Sequence, residues 1–407
     1  MTSRGCGFRC TFCFESTNRR FRAHSPQRVV DEMLYLKDKY GTSYFTFTDD
    51  IFTQNPERVR DICKLLMHHF RPHDNLFWYC EARVDQLAKN QDLIPLMKEA
   101  GLVRIQVGTE SGSQEVIDAY RKQITLEQVC KVVEQCNNAG ILSVHTNFII
   151  GGALENLASF EKTLRFAKDL LALAPGRFEA TTTNLSPYPG THIAIHPDVY
   201  KIRILDPSFS TGLSDDYIFA ETDDLKKDEI LALGEHFKIE FTKEMFNQVP
   251  KLSSDLIYEH LRLNEYNLRT QWSEIFASCP ILSCWGQLLK GKNYQRDLVI
   301  DDNKQFAYIF PTRTFDLGKC VGNGGKIKWE RMNVIIEFKA FEVFIAELCS
   351  GKNSLENILE RCIEYWKGDQ LAGVSKIRES VVNYLLSLAA NRLIVFRVLK
   401  WDHFIIN

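Results

Sequence analysis

The chain has 407 residues, 45% of them apolar, with 50 Lys and Arg against 52 Asp and Glu for a net charge of −2. That length implies two or three cores rather than one, and the charge balance argues against a nucleic-acid binder. No apolar run reaches the length of a membrane span, no signal peptide precedes Cys6, and twelve cysteines in so long a chain are not a disulfide framework, which points to a reducing compartment, the cytoplasm.

The first feature along the chain is the run Thr2-Ser3-Arg4-Gly5-Cys6-Gly7-Phe8-Arg9-Cys10-Thr11-Phe12-Cys13-Phe14, a Gly-containing loop. Ser25-Pro26 then caps and opens a helix towards Tyr40. Tyr44 to Phe47 reads as a strand running into Thr48-Asp49-Asp50, and Asn55-Pro56 starts the next helix. Leu76 to Tyr79 is a strand ending near Glu81 and Arg83, and Leu102 to Val107 is one ending at Gly108-Thr109-Glu110-Ser111-Gly112. A helix from Leu126 to Ala139 stops at Gly140. Ser143 to Ile150 is the next strand, Leu157 to Leu173 a helix, and Phe178 to Leu185 a strand ending in Pro187-Tyr188-Pro189-Gly190-Thr191. Strands alternating with helices predict a parallel sheet. Each unusual polar or Gly-rich cluster falls just past the carboxyl end of a strand, where barrel enzymes build their active sites. The expected architecture is α/β, a partial (β/α)6 TIM-like barrel of about six strands over residues 1–205.

Cys6, Cys10 and Cys13 have three and then two residues between them. Three thiolates leave one iron of a cubane cluster open, because such a cluster takes four. An open iron is what an enzyme needs and a structural site does not. The alternative is zinc, which usually takes paired cysteines or a Cys/His mixture. No second pair follows, and nothing around His24 favours it as a fourth ligand.

The cysteine loop resembles that of the radical S-adenosylmethionine (SAM) enzymes. Phe47-Thr48-Asp49-Asp50-Ile51-Phe52 is similar to that family's second-strand segment, Gly108-Thr109-Glu110-Ser111-Gly112 to its fourth-strand motif, and Tyr188-Pro189-Gly190-Thr191 to the sixth-strand segment of its methylthiotransferase-like and cobalamin-dependent subgroup. The resemblance implies a [4Fe–4S] cluster on Cys6, Cys10 and Cys13, whose open iron chelates SAM. It implies SAM contacts from Phe12 to the adenine, from Asp49 and Asp50 to the amino group, from Glu110 with Ser111 beside it to the ribose, and from Arg83 and Asn147. It further implies reductive cleavage of SAM to a 5′-deoxyadenosyl radical that attacks an unactivated carbon, with reduced flavodoxin or ferredoxin as electron donor. Two departures stand out. The usual Gly-x-Pro-Gly-Glu-Thr turn is here Gly151-Gly152-Ala153-Leu154-Glu155-Asn156, and Met1 to Ser3 would be only the tail of a first strand, so the cysteine loop is expected to be anchored poorly on one side. The subgroup often carries a cobalamin domain, but the chain has no Asp-x-His-x-x-Gly motif. Cobalamin would come from a separate chain.

From about Asp206 the alternation stops. Residues 206–295 are expected to form a helical bridge, with helices over Asp223–Asn247, capped by Thr222, and Asp255–Phe276. Residues 296–407 are expected to form a winged-helix-like α+β domain. There Leu298–Ile300 and Phe306–Phe310 would flank an Asp301-Asp302-Asn303 hairpin, and Asn323-Gly324 would mark a second turn. Helices Ala340–Cys349, Ser354–Trp366 and Ser375–Ala390 and a strand Leu393–Leu399 would follow. This part resembles leader-peptide-recognition domains, which implies a precursor peptide bound by strand addition. A module that only packs against the barrel is the alternative, and DNA reading is disfavoured because the helices carry no clustered basic face. Methylation is one variant of the expected chemistry. A tRNA base or small metabolite is the alternative substrate, and a truncated peptide-binding remnant is the reading without chemistry.

The remaining candidates have plainer readings. His68, His69 and His73 suit a helix C-terminus better than a metal. Arg19, Arg20 and Arg22 would form a solvated loop or attract an acidic electron donor. Cys279, Cys284 and Cys320 lack the spacing of a second cluster, and Cys63, Cys80, Cys130 and Cys136 fall in apolar patterns as small hydrophobes. Glu81 and Arg83 line the cofactor pocket or form a surface salt bridge.

Overall fold

The computed structural model describes residues 1–14, 20–70, 74–208, 217–291, 293–298, 303–322, 325–329, 334–366 and 373–399. Arg19, His73, the Ile300-Asp301-Asp302 part of the expected hairpin and the Asn323-Gly324 turn lie outside these residues. The chain divides into two compact units, Met1–Gln248 with Tyr266–Trp272, and Val249–Glu265 with Ser273–Asn407.

In the first unit β1 (Ser3–Arg4) pairs antiparallel with β2 (Arg22–Ala23). Then come α1 (Pro26–Tyr40), β3 (Tyr44–Thr46), α2 (Pro56–His69), β4 (Phe77–Ala82), α3 (Val84–Lys89), α4 (Leu93–Glu99) and β5 (Leu102–Glu110). They are followed by α5 (Gln114–Ala119), α6 (Leu126–Asn138), β6 (Ser143–Ile150), α7 (Leu157–Leu173) and β7 (Phe178–Asn184). β3 to β7 form one parallel sheet in chain order. The sheet joins five strands where about six were expected; the first-strand segment instead pairs with β2 and is fastened by side chains. The unit continues with α8 (His192–Ile195), the pair β8 (Ile202–Ile204) and β9 (Ala220–Thr222), and α9 (Lys227–Gln248).

Local chemistry sets the helix starts. Ser25 accepts a hydrogen bond from Arg28 N–H ahead of Pro26, and Asn55 accepts one from Arg58 N–H ahead of Pro56. Thr125 with Gln128, and Asn156 with Ser159, form reciprocal capping boxes. Each such cap is worth about 1 kcal/mol. Apolar residues recur at every second position along much of the sheet. Trp78 and Cys80, Ile105 and Val107, Val144 and Phe148, and Phe178 are fully buried on the outer face, where crossover helices cover parallel sheets. The opposite residues face the interior.

Beyond α9 the chain runs through α10 (Ser254–Leu263), α11 (Gln271–Ser278, of which Gln271 and Trp272 belong to the first unit) and α12 (Pro280–Leu289), where one helix over Asp255–Phe276 was expected. The break falls in the short 3-10 turn Asn264–Tyr266. Further on lie β10 (Tyr294–Gln295), β11 (Ile309–Arg313), α13 (Leu317–Gly322), and the hairpin partners β12 (Lys326–Trp329) and β13 (Val334–Glu337). The expected strand Phe306–Phe310 is corrected: Asn303–Tyr308 is 3-10 helix and the strand starts at Ile309. The second unit ends in α14 (Ala340–Leu348), α15 (Leu355–Trp366), α16 (Val374–Ala390) and β14 (Ile394–Val398), the last lying between β10 and β11 in an antiparallel sheet. Ser354 caps α15 by accepting from Asn357 N–H. Among the described residues no helix is long and apolar enough to cross a membrane.

Candidate functional site

The carboxyl ends of β3 to β6 and the cysteine loop enclose a cleft of about 380 Å³, lined among others by Cys6, Cys10, Cys13, Phe12, Asp50, Glu81, Arg83, Glu110 and Asn147. Eight of the ten residues expected to bind cluster or cofactor thus meet there, and Glu81 lines the cleft beside them. The loop is held on both sides, contrary to expectation. Gly5 N–H donates to the Asp50 carboxylate (2.9 Å), Thr11 N–H donates to Tyr120 O (3.0 Å), and Ile193 N–H donates to Thr11 O (3.0 Å).

 Of the expected set, Asp49 and Ser111 stay outside the cleft.

Both are corrections with a physical reason. Asp49 is buried and spent on the amino-terminal segment: it accepts from Thr2 N–H (2.5 Å), Thr2 Oγ1 (2.5 Å) and Ser3 Oγ (2.6 Å). Arg58 backs this contact, donating to Thr2 O (3.1 Å) and Thr2 Oγ1 (2.8 Å). Ser111 is fully buried against α7, with its hydroxyl 3.1 Å from Thr163 Oγ1 and accepting from Ser113 N–H.

The arrangement suits an iron–sulfur cluster. Arg83 donates from Nη1 to Cys10 Sγ (3.7 Å), lies over the Phe8 ring (3.6 Å to the centroid) and is oriented by Asp85 (2.8 Å) and by Lys122 O. A guanidinium beside thiolates offsets their charge. Without a metal Cys13 resists ionisation: burial, then the charges of Cys10 and Cys6, push it up to about 11. Burial likewise raises Cys6. A bound cation reverses that preference, because metal ligation requires the thiolate. A cubane presents a separate iron to each thiolate. Three cysteines lining one cleft, with the Arg83 guanidinium at Cys10 Sγ, fit that donor set.

Beside the cysteines, Phe12 packs edge-on against Tyr120 (4.9 Å between centroids), and its ring lies 5.8 Å from Lys122 Nζ. Lys122 is ion-paired with Glu110 inside the cleft. Sequence reasoning missed Lys122, which follows α5 in a turn without any strand-end signal. A register shift between Gly108 and Glu110, and a left-handed Glu110 (φ 69°), turn the carboxylate into the cleft. A Cβ on Gly108 would lie 2.6 Å from Glu110 Oε1 and closer still to Lys122 Nζ, so glycine leaves the pair its room. Burial raises the Glu81 carboxyl above its ordinary value, although the Tyr79 hydroxyl beside it opposes the shift. Gln106 was also missed; period-2 alternation from Glu110 along β5 points to it.

The other candidates lie elsewhere. His68 and His69 end α2 with rings 5.0 Å apart. Arg20 and Arg22 are exposed. Cys279 and Cys320 are buried and Cys284 is half-buried, all as free thiols.

Residues 1–167 match the model of the Radical SAM superfamily. The chain is 34% identical over 195 residues to an uncharacterized methyltransferase of Pyrococcus horikoshii, covering 47% of this chain and 40% of that protein. It is 29% identical over 168 residues to the anaerobic magnesium-protoporphyrin IX monomethyl ester cyclase of Rubrivivax gelatinosus, covering 41% of this chain and 30% of that protein. The chain thus spans at most 40% of the length of these two relatives. Among solved structures it resembles the cobalamin-dependent S-adenosylmethionine radical enzyme OxsB, with a TM-score of 0.48 and 15% identity over 96% of this chain and 58% of that one.

Proposed function

We propose that this chain, whose residues 1–167 are a radical SAM domain, reductively cleaves SAM at a [4Fe–4S] cluster on Cys6, Cys10 and Cys13 and modifies an unactivated carbon of its substrate. The observation that carries the reading is the single cleft shared by the three cysteines, Phe12, Glu110 and Lys122. When bound, the reduced cluster supplies the electron that splits SAM into methionine and a 5′-deoxyadenosyl radical. The chain's own residues supply placement and exclusion of water. Phe12 offers an aromatic face for the adenine, and the Glu110 carboxylate accepts from ribose hydroxyls. Lys122 balances the Glu110 charge, Asp50 offers an acceptor for an ammonium, and Arg83 offers positive charge at the Cys10 sulfur.

Methylation is the transformation the reading favours, supported by the methyltransferase relative. Cobalamin would be the cofactor of that transformation. Members of the family depend on a reductant; flavodoxin or ferredoxin is the donor we propose here, and the exposed Arg20 and Arg22 support an acidic protein in that role. Twelve free cysteines support a cytoplasmic setting. For residues 296–407 the reading is recognition of a precursor peptide by strand addition. Among the described strands β12 and β13 pair only with each other, and such outer edges accept an added strand.

The test is anaerobic reconstitution. The expected preparation is brown, holds about four irons per chain, and forms 5′-deoxyadenosine when reduced with dithionite in the presence of SAM. A colourless, zinc-loaded protein, or deoxyadenosine formation that survives Cys10→Ala, overturns the reading.

A further inference from the structure

Closed barrels of this kind fill their interior with branched apolar side chains. The inner face of this sheet is polar instead. Tyr79 of β4, Gln106 of β5, His145 and Asn147 of β6, and Thr181 and Thr183 of β7 lie on it, and hydrogen bonds link them across four strands. Tyr79 Oη is 3.1 Å from Gln106 Oε1, and His145 Nδ1 is 3.0 Å from the same oxygen. His145 Nε2 is 3.1 Å from Thr181 Oγ1, Thr181 donates to Asn147 Oδ1 (3.0 Å), and Asn147 Nδ2 donates to Thr183 Oγ1 (2.8 Å). Gln106 and Asn147 also line the cleft that holds the three cysteines. Gln106 and Asn147 therefore present the edge of this network to the space that the cluster loop faces.

Counting protons shows what the wall lacks. Burial, with the Arg104 charge, pushes the His145 imidazole down to about 4, so the ring is neutral and has one proton. With that proton on Nδ1, directed at Gln106 Oε1, Nε2 becomes an acceptor. The single Thr181 proton is then sought by both His145 Nε2 and Asn147 Oδ1, and one acceptor goes without. Thr183, which accepts from Asn147, still has a hydroxyl proton to give. The wall is thus short of a donor at its centre and holds a donor at its edge. Nearby cations are engaged: Lys122 with Glu110, Arg83 with Asp85 (2.8 Å), and Arg104 with Glu179 (3.5 Å) and Arg269 O (3.2 Å). A carboxylate would meet no spare charge there, and a hydrocarbon would desolvate acceptors without pairing them.

We infer that this wall is the substrate side of the cleft and recognises an uncharged group carrying both an N–H donor and an acceptor, the chemistry of a carboxamide or of the amide-like edge of a heterocycle. The inference rests on the proposed function and deepens it by naming the substrate chemistry.

Saturation-transfer NMR titrations of the full chain with N-acetylglycinamide, cytosine, benzoate and toluene test it. The first two are expected to bind, and the tighter one assigns the source of the amide, peptide or heterocycle. Gln106→Leu and the isosteric Thr181→Val are each expected to raise that dissociation constant at least fivefold. Benzoate or toluene binding as tightly as the amide probes overturns the inference. So does a dissociation constant unchanged in the variants; should Gln106→Leu fail to fold, an unchanged value in Thr181→Val alone overturns it. Iron content of the wild-type chain is read separately. Its absence removes the cluster reading and leaves the probe titrations standing as a measure of the wall.

Discussion

Lys122 and Glu110 face each other as an ion pair inside the cleft, with side chains only 9% and 10% exposed. A buried charge pair of this kind is weak evidence for stability, because desolvation offsets the attraction. Here the pair sits against Phe12 and the cysteine loop, and Gly108 is kept free of a side chain around it. Its position argues for a role in holding a ligand.

Removing one partner isolates the other in a dry site. Lys122→Met is expected to destabilise the first unit by about 3 to 5 kcal/mol, and Lys122→Met with Glu110→Gln to recover most of that loss. SAM affinity, in contrast, should fall in both variants. Urea unfolding and equilibrium binding of SAM to the reconstituted chain check the two halves. A double variant that binds SAM like the wild type would show that the pair serves packing alone.

Asp49 and Asp50 are neighbours with different tasks. Asp49→Asn weakens three hydrogen bonds to Thr2 and Ser3 and leaves Arg58 beside a neutral partner. The expected cost is about 2 to 4 kcal/mol, with faster amide exchange at Ser3 and Arg4 measured by mass spectrometry. Unchanged exchange there would remove the anchoring role.

Gly112 explains the end of the Gly-Thr-Glu-Ser-Gly motif by contact rather than by a ligand. A Cβ there would lie 2.6 Å from Thr163 Cα and 2.7 Å from Lys162 O, both on α7. Backbone cannot yield as a flexible side chain does, so Gly112→Ala is expected to cost about 1 to 3 kcal/mol. A melting curve settles it: a midpoint equal to the wild type would mean that α7 shifts freely.

How much was legible follows from the same residues. β6 and α7 fall on their expected bounds because the Asn156–Ser159 capping box and the polar stop at Gly151 are written in local sequence. The strand-end clusters were legible for the same reason. Which of two adjacent carboxylates faces the cleft was not, because neighbouring residues in extended chain point opposite ways and the partner of Asp49 lies 47 residues away. Lys122 was invisible because its meaning lies in a tertiary contact. The altered turn after β6 proved less of a departure than its letters imply. Leu154 takes the left-handed conformation (φ 57°) that a glycine would favour, and Glu155 still accepts from Gly151 and Gly152 N–H.

That carboxylate also carries a pH dependence. Burial pushes Glu155 up from 4.5 to about 7, against the Gly151 and Gly152 N–H groups that lower it. The unfolded chain gives up this proton near the ordinary value, so between 4.5 and about 7 the folded form holds more protons than the unfolded one. The contribution of Glu155 to the stability of the first unit therefore falls as pH rises through that window, by up to about 3 kcal/mol, while His145, pushed down to about 4 by burial, contributes a rise over part of it. Glu179, also raised to about 7 by burial, adds a change of the same sign as Glu155. Glu155→Gln has no proton to lose, so between 4.5 and about 7 its melting temperature should fall less, or rise more, with pH than that of the wild type. A slope identical to the wild type would mean that Glu155 ionises in the fold as readily as in the open chain, its charge carried by the two glycine N–H groups.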